Sequence, residues 1–301
     1  MLRLGVNLLI NKIQTILVAG YGVMGKGVAA SFHAGGFEVT ILTRDPAKAL
    51  ADVPAGVKAV SSLPDEPPDY ISENYPEEIA PKQDLFAAIE AKWGGASIIA
   101  SNTSGLDLEE LAAPLQHKNM FMGVHYLQPA DAFACVEAIR ISDTSDETKD
   151  RVVEALERTD KEVVLLNRPI IGALFNRLQH AMLHEAYWMI EQGLCSVEDV
   201  DKFARLAMGP RMCAGGLIEV KDLGGLVVHA ASQSEIIPKL TLSKEPAPFV
   251  QNLPKQGFTG ADAGRGFYNW HGKDVEKRRR EVKEMTRKIL DIVEPEARAR
   301  D

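Results

Sequence analysis

The sequence predicts an α/β chain in which a mostly parallel sheet, flanked by helices, is followed by an all-helical region. Three observations carry this. Short apolar runs alternate with helical stretches from residue 14 to about 167. Several of those runs are continuous rather than alternating, as strands buried on both faces require. After Asn167-Arg168-Pro169 long helical patterns take over and strand candidates become few.

The strand candidates are QTILVA from Gln14, EVTILT from Glu38, DYIS from Asp69, SIIA from Ser97, FMGVH from Phe121, CVEAIR from Cys135 and EVVLL from Glu162. Helical patterns between them include EEIAPKQDLFAAIEAKW from Glu77 and DETKDRVVEALERTD from Asp146. A boundary near residue 168 divides an α/β domain, 1–167, from a helical domain, 168–301. The second part reads as a long apolar helix from Ile170 that stops at Gly193. A helix opened by a capping box of Ser196 and Asp199 follows, and a last helix runs near Lys273 to Val293. The Lys277-Arg278-Arg279-Arg280 run is read as a solvated helix face.

With 301 residues, 46% hydrophobic and 25% charged, the chain has ordinary globular composition. A formal net charge of -8 gives no reason to expect nucleic acid as a partner. The apolar N-terminal stretch MLRLGVNLLINKI is too short to span a membrane and reads as an extension or an extra edge segment, and no membrane partner is expected. Cys135, Cys195 and Cys213 are widely spaced without a CxxC, which suits free thiols in a reducing, cytoplasmic setting. His180 and His184 share a helical face next to Glu185, but there is no HExxH and no evident third ligand, so no metal site is expected.

Gly20, Gly22 and Gly25 form G-x-G-x-x-G between the strand QTILVA and a small-residue helix. The first glycine permits the tight turn, the second lets backbone approach a pyrophosphate, and the third lets helix pack on strand. Val23 and Met24 open that helix, whose N-terminus suits phosphate. This strand–turn–helix context makes the reading a Rossmann-type nucleotide site. At the end of the second strand stands Thr43-Arg44 where an NAD site usually carries a carboxylate. Arg44 can pair with a 2′-phosphate, which favours NADP over NAD, with Asp45 one step late for the ribose.

His125 and Glu137 lie 12 positions apart in GVHYLQPADAFACVEAIR (Gly123 to Arg140). Imidazole titrates near neutrality and can both take and return a proton, and a nearby carboxylate fixes its tautomer and favours its charged form. With a redox carrier upstream, the pair points to hydride transfer coupled to proton transfer. A strand-end histidine satisfied by backbone is the plainer reading of His125.

These motifs together resemble the 3-hydroxyacyl-CoA dehydrogenase family, in its L-3-hydroxy-acid branch, over most of residues 14 to 270. DYISENYPEEIAPKQDLF resembles the family's strand–loop–helix with two glutamates and a lysine, here Glu73, Glu77 and Lys82. ASNTSGL from Ala100 is similar to its SNTSSL, and the His125–Glu137 run to its G-x-H-F-F-N-P…V-E-V. GALFNRL from Gly172 is similar to its G-F-x-x-N-R, and GRGFYNW from Gly264 to its C-terminal G-x-G-F-Y.

The resemblance implies His125 as general base or acid, Glu137 as its orienting partner, Ser104 as a hydrogen bond to the substrate oxygen, and Asn176 on the substrate carbonyl side. It also implies Glu77, Lys82 and Ser104 along the nicotinamide ribose, and a homodimer through the helical domain. Asn102 and Ser104 also suit helix caps ahead of DLEEL, and Asn176 suits an ordinary cap.

Three departures matter. Gln128 stands where the family has asparagine, and remains within the cofactor set. Asp262 stands where a lysine precedes the C-terminal glycine-rich run. The stretch from Arg44 to Pro68 is too short for the basic helical hairpin that helps hold CoA. A small 3-hydroxy acid or related polar alcohol is therefore expected as substrate, with a CoA ester as the alternative. A non-catalytic nucleotide-binding or structural protein is the reading outside enzymes. The nucleotide half also resembles 6-phosphogluconate and 3-hydroxyisobutyrate dehydrogenases, but their catalytic lysine has no counterpart on the helix from Ile170.

Overall fold

The computed structural model describes residues 12–298. The expected N-terminal extension lies, up to residue 11, outside the described residues. The chain divides into two units, Met1–Arg177 and Leu178–Asp301.

The first unit is built on one eight-stranded sheet. Its strands are β1 (Thr15–Ala19), β2 (Glu38–Leu42), β3 (Lys58–Val60), β4 (Tyr70–Glu73), β5 (Ile98–Ser101), β6 (Phe121–Tyr126), β7 (Cys135–Arg140) and β8 (Glu162–Leu166), in the order β3-β2-β1-β4-β5-β6-β7-β8. All pairings are parallel except β6 with β7. The helices are α1 (Val23–Ala34), α2 (Pro46–Leu50), α3 (Ile79–Trp93), α4 (Leu108–Ala112) and α5 (Asp146–Glu157).

The continuous apolar strands are explained by two cores, one on each face. Val18, Phe32, Tyr70, Val124, Val136 and Leu156 belong to one. Leu17, Ala19, Ile71, Phe86, Leu111 and Phe121 belong to the other. Leu17, Val18 and Ala19 thus alternate between faces while all remain buried. Local signals set the helix starts. Ser145 accepts from Thr148 N at the head of α5, with Asp146 and Glu147 in its first turn, and Asp107 caps α4 by accepting from Glu109 N. Asn102 and Ser104 therefore do not cap that helix.

Two expectations shift. The segment from Arg44 to Pro68 holds the short helix α2 and the edge strand β3, neither of which stood out in the sequence. The long apolar helix, α6 (Phe175–Glu191), begins at Phe175 rather than Ile170. Gly172 (φ 82°) and Ala173 (φ 45°) turn the chain through the left-handed region just before it, where a helix cannot pass.

The second unit is helical: α7 (Val197–Phe203), α8 (Gly209–Gly215), α9 (Glu219–Gly224), α10 (Leu226–Ile236), α11 (Pro248–Lys255) and α12 (Val275–Arg298) follow α6. The expected capping box is formed in both directions between Ser196 and Asp199. His184 Nε2 lies 2.9 Å from Ser243 O and Glu185 accepts from Thr241 N, so both side chains tie α6 to the segment between α10 and α11. Both carboxylate oxygens of Asp262 accept from Nη2 of Arg279.

Candidate active site

The glycine turn is built for close approach. Gly20 has φ 96°, and a Cβ on Gly25 would stand 2.0 Å from the Gly20 carbonyl oxygen, so neither position accepts another residue in this geometry. At Gly22, by contrast, an added Cβ would meet nothing within 4 Å. Open backbone therefore lies at the N-terminus of α1, which suits a dinucleotide pyrophosphate. Val23 is exposed and Met24 half-buried on the first turn. At the end of β2, Thr43 N donates to Val60 O, while the Asp45 carboxylate caps α2 by accepting from Lys48 N. Arg44 is exposed and close enough to Tyr75 to lower its phenol against burial, the larger effect, which raises it.

The candidate proton-handling residues meet across the antiparallel pairing of the sheet. In the β6–β7 register His125 stands opposite Glu137. The Nδ1 of His125 lies 2.6 Å from Glu137 Oε2, with both side chains buried. The other carboxylate oxygen of Glu137 accepts from Leu174 N at 2.7 Å and Phe175 N at 3.0 Å. Burial alone would raise the Glu137 carboxyl. The His125 hydrogen bond, the two N–H donors and the His125 charge outweigh it and hold the group below the usual carboxylate range. An ionised acceptor at Nδ1 makes that nitrogen the N–H donor, leaving the Nε2 lone pair to accept. Nε2 lies 3.2 Å from Ser104 Oγ. Glu137 thus holds the imidazole with one oxygen and the start of α6 with the other, and Asn176 follows those two residues directly.

Ser104 is itself held from the other side. Glu77 Oε1 accepts from Thr103 Oγ1 at 2.6 Å, Ser104 N at 2.8 Å and Gly105 N at 2.9 Å. Burial raises the Glu77 carboxyl, but these bonds and Lys82 keep it below the usual range. Lys82 is fully buried and makes two contacts, of 2.7 and 2.9 Å, with Glu73, while Glu77 Oε2 is 3.6 Å away. Ser101 Oγ and Tyr75 N also donate to Glu73. Lys82 therefore supports Glu77 from beneath and presents no exposed ammonium.

A parallel amide chain crosses the strand ends. Asn102 Nδ2 donates to Asn74 Oδ1, and Tyr126 N, next to His125, donates to Asn102 Oδ1. Sequence reasoning left Glu73, Thr103, Asn74 and Asn102 out of the site. The signal was present for all four, since each lies inside a motif that was read. Gln128 sits exposed on the loop joining β6 to β7.

Residues 51–169 match the 3-hydroxyacyl-CoA dehydrogenase NAD binding domain, and residues 172–270 match the C-terminal domain of the same family. The chain belongs to the 3-hydroxyacyl-CoA dehydrogenase family. It is 28% identical to a probable 3-hydroxybutyryl-CoA dehydrogenase of Bacillus subtilis over 288 residues, covering 87% of this chain and 99% of that one. It is 25% identical to 5-formyl-3-hydroxy-2-methylpyridine 4-carboxylate 5-dehydrogenase of Mesorhizobium japonicum, covering 85% and 90%. A crystal structure of an enzyme of that latter name, described as an NAD+-dependent dismutase, shares the fold with a TM-score of 0.84 at 24% identity, covering 93% and 97%. Family members are NAD-dependent dehydrogenases acting on CH–OH groups, and this chain is a nicotinamide-dinucleotide-dependent dehydrogenase of that class. The first match begins at residue 51, after the glycine turn and β2, so the first βαβ unit stands on its own geometry.

Proposed function

We propose that His125, oriented by Glu137, is the proton acceptor for a 3-hydroxy acid or related small polar alcohol, with Ser104 holding the reacting oxygen. The observation that carries this is the continuous chain Glu77–Ser104–His125–Glu137, each link within hydrogen-bond distance. A nicotinamide dinucleotide bound at the glycine turn would accept or return the hydride. Gly20, Gly22, Val23, Met24, Gly25, Thr43 and Arg44 would hold its adenosine and pyrophosphate. Glu77, Lys82 acting through Glu77, Ser104 and Gln128 would line the nicotinamide side. The Nε2 lone pair of His125 takes the hydroxyl proton, and Glu137 stabilises the imidazolium that results. In the reductive direction the same nitrogen returns the proton. Asn176, next to the two residues held by Glu137, completes the set on the substrate carbonyl side.

A small substrate is favoured over a CoA ester because the segment between β2 and β4 contains only the five-residue α2 and the three-residue β3. No helical hairpin is there to hold a nucleotide tail, and the relative from Mesorhizobium japonicum is named for a pyridine carboxylate. NADP is favoured over NAD because Asp45 is engaged as a helix cap, leaving Arg44 and uncharged Thr43 at the ribose position.

A homodimer is favoured by the second unit, whose helices expose Leu206, Leu223, Val227 and Ile292 to 74% or more. No disulfide forms among the described cysteines, which suits a reducing, cytoplasmic setting. No helix among the described residues is long and apolar enough to cross a membrane.

The experiment is turnover with NADP and NAD on a panel of free 3-hydroxy acids beside acetoacetyl-CoA. Faster turnover of a free acid supports the proposal. Turnover confined to the CoA ester would restore the alternative substrate, and turnover of neither would favour a non-catalytic role.

A further inference from the structure

We propose that Lys161 is a positioning residue that clamps the loop of residues 127–134 onto α1 and so couples the relay hairpin to the dinucleotide site. Here the loop's part in dinucleotide binding rests on the function proposed above. The loop joins the strand of His125 to the strand of Glu137 and carries Gln128. Two independent contacts fix it. From one side Lys161, just before β8 and 6% exposed, donates from Nζ to the carbonyl oxygens of Ala130 at 2.9 Å and Phe133 at 2.5 Å. Glu162 N donates to Ala134 O beside it. From the other side Gly27 of α1 lies against the loop. A Cβ on Gly27 would stand 3.0 Å from Ala130 Cβ and 3.1 Å from Asp131 N.

A buried ammonium is costly unless its donors are satisfied, and the Ala130 and Phe133 carbonyls accept from it only while the loop keeps its path. Gly27 lies two residues beyond Gly25, so the loop rests on the very helix whose N-terminus forms the glycine turn. Released at Lys161, the loop loses its seat on α1, and Gln128 loses its fixed place beside the nucleotide groove. The chemistry at His125 is held separately, by Ser104 and Glu137. The signature is therefore weaker dinucleotide binding with the proton step spared.

Lys161→Met keeps the length and removes the charge and donors. It should raise the dissociation constant of the preferred dinucleotide, by calorimetry, about tenfold, the equivalent of losing one charge-assisted contact. Amide hydrogen exchange in residues 127–134 should speed up, while exchange in β1, β4 and β5 stays slow. At saturating dinucleotide, kcat should fall less than about threefold, well inside one decade of rate. Lys161→Arg should restore part of the affinity.

Gly27→Ala attacks the same seat from α1 and should give the same pair of changes. It serves as the test should the methionine variant not fold. An unchanged dissociation constant beside faster loop exchange would overturn the coupling, and unchanged loop exchange would overturn the clamp. Absence of dinucleotide binding by the native protein would instead overturn the proposed function, with the exchange measurement still judging the clamp. Gln128→Ala separates the loop's path from that one side chain, since loop exchange should not respond to it.

Discussion

Replacing Glu137 by glutamine tests the relay at its tightest contact. The carboxylate accepts from His125 Nδ1 at 2.6 Å through one oxygen and from Leu174 N and Phe175 N through the other. A glutamine can satisfy only one side. If its oxygen faces the two N–H groups, its NH2 faces Nδ1 and makes that nitrogen an acceptor. The proton then moves to Nε2, where no base remains. If its oxygen faces Nδ1, its NH2 opposes the two N–H groups at the start of α6, leaving donors unsatisfied at about 1–3 kcal/mol each.

The charge matters as well. An imidazolium and a carboxylate with charge centres about 4 Å apart attract by about 4 kcal/mol at an effective dielectric constant of about 20. At 1.36 kcal/mol per decade, that corresponds to about a thousandfold in rate. Glu137→Gln should therefore lower kcat by about a thousandfold in steady-state dinucleotide reduction, with the dinucleotide dissociation constant nearly unchanged. A loss below about tenfold in a folded variant would refute the charge argument, because both orientations of the neutral amide forfeit that attraction.

Three further outcomes are expected. Arg44→Ala should weaken NADP binding by at least about tenfold in calorimetry while leaving NAD binding nearly level, and equal effects on both would remove Arg44 from the 2′-phosphate. Tyr126→Phe and Tyr70→Phe should each raise stability in urea titration by up to about 1 kcal/mol, because neither buried hydroxyl has a hydrogen-bond partner among the described residues. A marked loss would reveal a partner. Acid should destabilise the fold, since Asp69, Glu77, Glu90 and Glu137 all keep their carboxyls below the ordinary range. For a lowered group the stabilisation is present above the unfolded-state value and is lost as pH falls through the folded one. The melting temperature should thus drop from about pH 5 downward, and a flat profile there would contradict the assignments.

The sheet was legible because each strand carries its own local signal. The seven apolar runs read from sequence all became strands, and the Ser196–Asp199 box formed as its spacing indicated. What was missed depends on contacts distant in sequence or on backbone shape. β3 is three residues long, at a sheet edge and among prolines and glycines, with too few side chains to show a period. The start of α6 was placed too early because Ile170 to Leu174 is as apolar as the helix, and only the backbone at Gly172 and Ala173 separates them.

The identities of His125, Glu137 and Ser104 could be read, but not the antiparallel register that sets the first two opposite each other. Lys82 read as a cofactor contact, yet Glu73 closes over its ammonium, a pairing that follows from how β4 meets α3. Lys161 gave no signal, since a lysine ahead of a strand is ordinarily solvated.

The most direct measurement of the central claim compares the native protein with His125→Asn on the best free 3-hydroxy acid, with dinucleotide binding measured on both. The account predicts that the variant binds the dinucleotide as tightly as the native protein and loses turnover by at least about a thousandfold, the contribution of a positioned general base at its usual scale. A variant that turns over at the native rate would remove His125 from proton transfer and contradict the account.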